Sequence, residues 1–524
     1  MARALKTQKR RLTTPPQTIH KPRGVIAPRV QAVGPEHFGI VCVDCAKARS
    51  QWMLTDFYGR LLVPATEVEH TQPGFRAMIQ AVRSALDRST IRDQVIVIER
   101  TGRYHRPIQR AFAQAGFETR IIHPLTTKYH RQSADPGNKT DETDMAAIQR
   151  GAVNGFGLLE PPVDPVSARL QLLARHRRDL VEKAVALRCQ IHEHLHAMMS
   201  GYYKCFVDIF DCRIPLRVAR EFGSAAAILG AGVPGLIERL RRADIRVHLP
   251  TLEKIAAWAG SAPAAEDESD LHLKILIALD DDRLSKAREV RAIERELAGL
   301  LVRTPDVLLL GIPGINVVSA AEFAGEMGPI DRYPTGRAIT GRAGLYPARY
   351  QSDRVDCPDG ALVRCANRGL RRAIMIIADN LIKCNSHFRI LATGWRLRGR
   401  DARAVRVQVA GRFARIAYQM VAGRKAYRHP SCNEKDYVIK KLITFHNEHD
   451  SEVDQLMRDL DAAVAQLPRS EYREEAAPLA DELGRALSKR GKGPRLLSEI
   501  LPVVWAKLGV KPVQSPESGE ANLT

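Results

Sequence analysis

Four acidic residues have the types and the spacing of a site that could bind divalent metal ions. Asp44 ends the apolar run FGIVCVD and Glu99 ends the run QVIVIE, so each carboxylate is predicted at the carboxyl edge of a sheet. Asp141 and Asp144 lie three residues apart at a predicted helix start, which places both on one helix face. Hard oxygen ligands suit Mg²⁺ or Mn²⁺, and two such ions could activate a nucleophile and stabilise the leaving oxygen of a phosphodiester.

Each of these acids also has a simpler explanation when it is taken alone. An acid that ends a strand is often only solvated. Acids in the first turn of a helix commonly cap it, a role that Asp141 could combine with metal binding. The four together are more specific than any one of them. In a basic chain they favour a nuclease, an integrase or a transposase over a small-molecule enzyme.

The elements that must position these acids form a predicted α/β domain over residues 37–160. Strands are predicted at 38–44, 51–56, 61–68, 94–99 and 119–124, and helices at 73–86, 107–115 and 140–154. A polar stretch without a predicted element separates the last strand from the last helix. Three strands in series, followed by alternating helix and strand, describe a mixed sheet, an order that the ribonuclease-H-like fold has.

The rest of the chain is predicted to be mostly helical. Apolar residues at helical spacing over 165–204 and again over 276–300 predict long helices that pair through a heptad-like seam, so residues 161–304 are predicted to form a coiled-coil linker. Residues 305–425 are a further predicted compact unit. Residues 426–524 are a predicted helical extension with a polar tail, and residues 1–36 a basic flexible arm.

The segment GIPGI (311–315) has two interpretations. Gly311 and Gly314 could place backbone amides against a phosphate, as helix–hairpin–helix elements do, or they could form an ordinary tight turn. Spacing alone does not separate the two interpretations.

The charge of the chain favours a polyanionic partner. Lys and Arg total 80 against 59 Asp and Glu, a net charge of +21, and phosphate contacts release counterions from nucleic acid. A generically basic proteome or a role beside the ribosome would produce a similar excess. Scattered cysteines and the lack of an apolar run long enough to span a bilayer predict a protein of the reducing cytoplasm without a membrane span.

Several motifs, in order along the chain, resemble one family. FGIVCVDCAK, IERTGRYHRPI and NKTDETDMAAI resemble the amino-terminal domain of the DEDD transposases of insertion-sequence family one-ten, a domain similar to the Holliday-junction resolvase RuvC. The family's carboxy-terminal domain is resembled by LLLGIPGINVVSAAEFAGEMGPIDRYPTGRAITGRAGLYPARYQS, NRGLRRAIMIIADN and NSHFRIL. The resemblance covers about residues 37–160 and 305–425, and the helical middle fits the family's coiled-coil linker. It implies a RuvC-like domain joined to a serine-containing transposase domain.

The resemblance implies that Ser352 is a nucleophile. Its Oγ would attack a phosphodiester and hold the DNA end as a phosphoserine, which conserves the bond for rejoining. The resemblance also implies a homo-oligomer, a dimer or a tetramer, and a non-coding guide RNA of the element that pairs with donor and target DNA. Asp353 and Ala366 stand where relatives often have glycine, so the segment near the serine departs from the family pattern.

A basic cluster lies close to the serine segment along the chain and is predicted to contact phosphates, with solvated helix charge as the alternative. It consists of Arg364, Arg368, Arg371 and Arg372. Further arginines at 396, 398, 400 and 403 extend it.

Three functions are compatible with these features. The favoured one is a transposase or recombinase that uses both the metal-bound carboxylates and the serine. The second is a RuvC-like, structure-specific endonuclease that uses only the metal site. The third is a non-catalytic nucleic-acid-binding relative. The role of Ser352 separates the first from the second, and metal-dependent cleavage separates both from the third.

Overall fold

The structure is a computed structural model. It describes residues 24–134, 136–160, 164–265, 268–352, 355–357, 360–429 and 438–467. The chain divides into two compact units, Met1–Pro162 (unit 1) and Val163–Thr524 (unit 2). Three predicted features lie outside the described residues: positions 1–23 of the basic arm, Asp353, and positions 468–524 of the carboxy-terminal extension.

Unit 1 contains a mixed six-stranded sheet. Its strands are β1 (Phe38–Cys45), β2 (Arg49–Asp56), β3 (Leu61–Glu69), β4 (Asp93–Glu99), β5 (Thr119–Ile122) and β6 (Leu158–Leu159). They lie in the order β3-β2-β1-β4-β5-β6. β1 pairs in parallel with β4, and β4 with β5, whereas the other neighbours are antiparallel. The prediction of a mixed α/β domain is confirmed.

Five helices flank this sheet in the described part of unit 1: α1 (Ala27–Val33), α2 (Gln72–Asp87), α3 (His105–Gln114), α4 (Pro124–Ala134) and α5 (Asp141–Val153). Strand alternation divides the core between the two faces, because successive side chains of a strand point to opposite sides. The layer against α2 and α3 contains Val41, Val43, Ile96 and Ile98, and the layer against α5 contains Ile40, Cys42, Val95 and Val97. The same alternation directs Asp44 and Glu99 to the α5 face.

Two segments of unit 1 differ from their prediction. α1 begins within the predicted flexible arm, where Ile26 is buried and Arg29 donates hydrogen bonds of 2.8 Å to Asp93 and 2.9 Å to Glu118. These contacts hold residues 24–36 against the sheet, so the prediction of a flexible arm is wrong for this part. α4 occupies the stretch for which no element was predicted, because its single buried residue, Thr127, produces no apolar periodicity.

Unit 2 is mostly helical, as predicted. Its helices are α6 (Pro165–Met198), α7 (Ile214–Phe222), α8 (Ala225–Arg242), α9 (Leu249–Ser261), α10 (Ser269–Leu301), α11 (Val317–Met327), α12 (Gly336–Ala343), α13 (Arg368–Cys384), α14 (Ser386–Leu397), α15 (Ala402–Gly423), α16 (Val438–Glu448) and α17 (Val453–Gln466). A hairpin of β7 (Tyr350–Ser352) and β8 (Val355–Cys357) precedes α13. In the part of the chain that the structure describes, every helix is too short or too polar to cross a bilayer.

Two hydrophobic cores stabilise unit 2. One joins the end of α6 to α7, α8 and α9. The other joins the start of α6 and the end of α10 to the helices from α11 to α17. Leu301 and Leu442 are both buried in this second core, so it extends across the predicted domain boundaries at 304/305 and 425/426. The long helices α6 and α10 pack along each other and connect the two cores.

α6 and α11 approach each other closely at Gly325. A Cβ atom at this position would lie 2.7 Å from the backbone nitrogen of Gln171. The side chain of the next residue, Glu326, is 0% exposed and accepts two hydrogen bonds of 2.8 Å from Arg175 of α6. Burial would raise the pKa of Glu326, but the bonds and the charge of Arg175 hold this pKa below its ordinary value. A small residue and a buried carboxylate paired with a half-exposed arginine therefore define the contact between α6 and α11.

We expect Gly325→Ala to destabilise unit 2, because the added methyl group must displace the backbone of α6. The expected loss is about 2 kcal/mol of the free energy of unfolding, the usual size of an overpacking effect. Urea unfolding followed by circular dichroism measures it. Gly341→Ala in α12 is the matched control, since a Cβ there meets nothing within 4 Å, and it should leave the midpoint unchanged or raise it slightly. Equal midpoints for Gly325→Ala and the wild type would contradict the close approach.

Candidate active site

Two of the predicted acidic residues lie next to each other at the carboxyl edge of the sheet. The parallel register of β1 and β4 ends with Val43 opposite Ile98. Asp44 and Glu99 follow this pair on adjacent strands, and both are half-buried. Their position follows directly from the parallel pairing, because the carboxyl ends of parallel strands meet at one edge.

The other two acidic residues lie in the first turn of α5. Asp141 and Asp144 precede Met145 and Ile148 by four residues each, and these apolar side chains pack against the sheet. Because residues four apart share a helix face, both carboxylates continue the sheet-facing side of α5 towards the strand ends. Asp141 is exposed, whereas the Asp144 side chain is only 10% exposed.

The cap of α5 is provided by Thr140 and not by Asp141. Thr140 Oγ1 accepts a hydrogen bond of 3.2 Å from the backbone N–H of Thr143, and Thr143 Oγ1 accepts one of 2.9 Å from the backbone N–H of Thr140. This reciprocal capping box provides acceptors for the backbone N–H groups of Thr140 and Thr143 at the helix start. The Asp141 carboxylate instead accepts a hydrogen bond of 3.0 Å from Gln51 Nε2 of β2, so the capping role considered for Asp141 is wrong.

The carboxylates of this cluster influence one another electrostatically. Burial raises the pKa of Asp44, and the negative charges of Asp144 and Asp141 raise it further. Burial also raises the pKa of Glu99, to which the charges of Asp44 and Asp144 contribute. Like charges close together disfavour the ionised form of each. The edge of the sheet therefore carries more negative charge than its protein surroundings compensate.

The charge of Lys139, which lowers the pKa of Asp44, and two groups of α4 oppose this excess. Arg131 of α4 forms an ion pair with Asp144, and its charge lowers the pKa of Glu99. The hydroxyl of Thr127, one helical turn earlier, lowers the pKa of Glu99 as well, although it lies beside the carboxylate without a hydrogen bond of full geometry. Arg131 and Thr127 both lie in α4, in the stretch for which the sequence predicted neither a helix nor a strand.

The side chains do not form a closed set of metal ligands. Among the described residues, no group of three or more His, Cys, Asp or Glu side chains is arranged to hold a metal ion. Asp144 is turned to Arg131 and Asp141 to Gln51. The donor types still suit a hard divalent cation, because all four are carboxylates. Asp44 and Glu99 could accept a cation without first losing the ion pair that holds Asp144 or the hydrogen bond from Gln51 that holds Asp141.

Ser352 lies in unit 2 at the end of β7, where it pairs with Val355 of β8. The serine is exposed. The hairpin is braced by Arg349, whose Nε and Nη2 bind the two oxygens of Asp356 at 3.0 and 2.8 Å. A serine predicted in a polar loop therefore lies on a short, well-paired β-arm, and its hydroxyl forms no hydrogen bond within the described part of the chain.

The four arginines of the predicted basic cluster differ in their contacts with the rest of the protein. Arg371 donates a hydrogen bond of 2.8 Å to the carbonyl of Ala343 and a second one to the carbonyl of Val363. Arg372 forms an ion pair of 2.6 Å with Glu182 of α6. These two side chains are engaged by the protein. Arg364 and Arg368 are exposed and without a hydrogen bond or ion pair among the described residues, so they fit the phosphate-contacting role better.

The GIPGI segment is packed inside unit 2. Ile312 and Ile315 are buried, and their carbonyls accept hydrogen bonds of 2.9 and 2.6 Å from Lys441 Nζ of α16. Gly314 has a φ of +94°, and a Cβ there would lie 3.0 Å from the carbonyl oxygen of Asn380. These contacts favour the interpretation as a tight turn, because its glycine meets the protein's own backbone.

Comparison with known proteins identifies the family. A DEDD-type IS110 model, described as Transposase, matches residues 41–200, and a second model, described as Transposase IS116/IS110/IS902 family, matches residues 306–392. The "Insertion element IS110 uncharacterized 43.6 kDa protein" of Streptomyces coelicolor is 23% identical over 297 residues, which cover 56% of this chain and 73% of the relative. The chain belongs to the IS110 family of transposases.

The two matched regions of the transposase contain all the residues predicted to carry its chemistry. Asp44, Glu99, Asp141 and Asp144 lie in the first region, and Ser352 and the predicted basic cluster lie in the second. Arg131 and Gln51 also contact the carboxylate cluster, but sequence reasoning missed them. α4 has no apolar stripe that would reveal it, and Gln51 becomes visible only through its register opposite Asp44.

We expect Asp44→Asn to stabilise unit 1 of the metal-free transposase at neutral pH. Because the folded-state pKa of Asp44 is raised, the wild type loses stability as the pH rises from the ordinary value of about 4 through the raised one. The neutral amide removes this loss and should add roughly 1 kcal/mol at pH 7 and almost nothing below pH 4. Hydrogen exchange of the β1 peptide measures the effect as slower exchange at pH 7.

The control for this prediction is Asp87→Asn. Asp87 is exposed at the end of α2, and it has no hydrogen bond or ion pair with any described residue. Its replacement should leave exchange of the β1 peptide unchanged at both pH values. Faster exchange in Asp44→Asn than in the wild type at pH 7 would show that repulsion among the carboxylates is not the dominant interaction at this edge.

Proposed function

We propose that the transposase cuts and rejoins DNA with a divalent metal ion held by carboxylates of unit 1 and with Ser352 as the nucleophile. The carboxylates are Asp44, Glu99, Asp141 and Asp144. The observation that carries the proposal is the placement of Asp44 and Glu99 at adjacent parallel strand ends, on the sheet face covered by the helix that begins with Asp141 and Asp144, inside the region matched by the DEDD model. A ribonuclease-H-like identity of the sheet belongs to the same proposal and is supported by its strand order.

The proposed metal is Mg²⁺ or Mn²⁺. When bound, such an ion would polarise the phosphodiester and stabilise the leaving oxygen. Asp44 and Glu99, on adjacent strand ends, would provide the central oxygens. Asp144 would join them by leaving Arg131, and Asp141 by leaving Gln51. Arg131 then has a second task, because its guanidinium compensates the cluster as long as the cation is absent.

Ser352 would form the covalent intermediate. Its Oγ bonds to phosphorus as the bond from phosphorus to a deoxyribose oxygen breaks. The serine proton passes to solvent and the leaving oxygen gains a proton, so no oxidant or energy source is needed. Attack of a second DNA hydroxyl on the phosphoserine reverses these steps and releases the serine. The exposure of Ser352 at the end of a braced hairpin supports access by a DNA strand.

The proposed partners are DNA, a guide RNA encoded by the element, and further copies of the same chain as a dimer or tetramer. The net charge of +21 is compatible with both nucleic acids. Sequencing of the nucleic acid that co-purifies with the protein tests the RNA partner. An RNA with segments complementary to donor and target DNA is the expected result, and the absence of any such RNA from active protein contradicts it.

We expect Ser352→Ala to abolish the covalent protein–DNA adduct. Loss of a nucleophile removes the covalent route completely, so adduct formation and strand transfer should fall at least about a thousandfold. The measurement is detergent-resistant retention of end-labelled element DNA in Mg²⁺. Ser261→Ala is the matched control, because this exposed serine at the end of α9 bonds only carbonyls of its own helix.

The same assay separates the other two functions. Metal-dependent cleavage that persists in Ser352→Ala at the wild-type rate, with strand transfer intact, identifies an endonuclease that uses the carboxylates alone. This second function is favoured by one observation: no described residue accepts a hydrogen bond from the Ser352 hydroxyl, so none is placed to take its proton. DNA binding with no Mg²⁺-dependent cleavage, and no effect of Asp44→Ala, identifies the non-catalytic binder.

A further inference from the structure

A long groove in unit 2 lies between α12, the base of the β-arm and α15. Its volume is about 1050 Å³. α15 forms one wall, Pro347 and residues 360–362 line the groove as well, and Trp395 of α14 also belongs to the lining. The base of the β-arm is closed, because the backbone N–H of Ala348 donates a hydrogen bond of 2.8 Å to the carbonyl of Ala361 and Pro347 forms a β-bridge with Leu362.

The groove is lined by arginines whose guanidinium groups have no hydrogen-bond or ion-pair partner among the described residues. They are Arg400, Arg403, Arg412 and Arg415. All four are exposed, and none of them forms a side-chain hydrogen bond or an ion pair with any residue in the described ranges. Arg406 of the same helix lies outside the groove and is paired with Asp379 through two nitrogens. The free cations of α15 are therefore concentrated on its groove face.

The single acid of the groove lining does not compensate these charges. Asp401 is the N-cap of α15, and its carboxylate accepts hydrogen bonds from the backbone N–H groups of Arg403 and Ala404 at 2.9 and 3.4 Å. Its charge interacts with the positive end of the helix. Four arginines and a helix start thus leave the groove with a strong positive potential.

The shape of the groove fits one nucleic-acid strand. With 3.6 residues per turn, Ala404, Gly411 and Arg415 lie near the middle of the groove face of α15, and Arg403 and Arg412 lie at its two edges. The two small residues let a strand approach α15 closely, while Arg403 and Arg412 at the edges and Arg415 farther along the middle can reach its phosphates. Trp395 adds an aromatic ring to the lining, and a basic groove with an aromatic ring is typical of sites for single strands.

The groove wall and the serine belong to the same β-arm. Ser352 lies five residues beyond Pro347 along the β-arm, which at about 3.3 Å per residue is roughly 17 Å. This distance corresponds to about five stacked nucleotides at 3.4 Å each. We propose that the groove is the binding site of the single DNA strand that Ser352 attacks, with phosphates on Arg403, Arg412 and Arg415. That the bound strand is the one attacked by Ser352 rests on the proposed function. That the groove binds a single strand rests on the groove alone.

The experiment measures binding without catalysis. Full-length protein is titrated against a fluorescent 20-nucleotide single-stranded DNA in EDTA, and anisotropy is recorded at several salt concentrations. We expect the triple variant Arg403→Ala, Arg412→Ala, Arg415→Ala to bind about 30- to 100-fold more weakly. The slope of log affinity against log salt should fall by about 2, because three phosphate contacts are lost.

Two further variants control for charge and for folding. Arg241→Ala, Arg288→Ala, Arg303→Ala removes the same charge from exposed arginines outside the groove lining and should change affinity less than about threefold. Arg403→Lys, Arg412→Lys, Arg415→Lys keeps the charge and should restore most of the affinity. Wild-type affinity of the alanine variant, an equal loss in the control variant, or tighter binding of duplex DNA or of single-stranded RNA overturns the inference.

The experiments distinguish an error in the groove inference from an error in the proposed nucleophile. Ser352→Ala should bind the oligonucleotide with wild-type affinity, because the serine is outside the groove lining. If the groove variant binds normally while Ser352→Ala loses the adduct, the groove inference is wrong and the serine mechanism stands. If the groove variant binds weakly while Ser352→Ala still forms the adduct, the groove stands and the proposed nucleophile is wrong.

Discussion

Like charges held together at one edge of a sheet are the constraint around which unit 1 is arranged. The parallel register of β1 and β4 puts Asp44 beside Glu99. Burial raises the pKa of both, and α5 brings Asp144 close enough for its charge to raise them further. Such an arrangement costs folding free energy unless a cation compensates it. In the transposase, Arg131 compensates part of the charge from α4, and the proposed metal ion would compensate the rest. Stability and function therefore compete at this edge.

Unit 2 uses its charges in two different ways. Where helices must pack, arginines are paired with buried acids, as Arg175 is with Glu326 between α6 and α11. Such pairs keep their position because loss of either partner leaves an uncompensated charge. Along the groove face of α15, by contrast, the arginines have no acidic partner among the described residues. Unpaired arginines gain most from phosphate groups, so this difference separates the structural cations from those available to a ligand.

The predictable part of the fold follows from local periodicity. Continuous apolar runs identified β1 and β4 as buried strands with an acid at each carboxyl end, and helical spacing identified α5 and the long pair α6 and α10. α4 was missed because it buries only Thr127. The helix at 27–33 was missed because its contacts are an ion-pair network with distant residues and not an apolar stripe. The predicted domain boundaries at 304/305 and 425/426 do not separate hydrophobic cores, since one core contains side chains from helices on both sides of each boundary.

The sequence by itself determined the family, the mixed sheet with helices after it, and the identities of the candidate acids and the candidate serine, because these depend on residue types and short spacings. Only the tertiary structure decided which neighbours those residues have. Arg131 forms an ion pair with Asp144, and Gln51 donates a hydrogen bond to Asp141. Arg371 is hydrogen-bonded to two carbonyls, whereas Arg412 has no hydrogen-bond or ion-pair partner in the described ranges. The physical reason is that the contacts joining residues far apart along the chain are set by packing and register, which leave no periodic signal in the sequence.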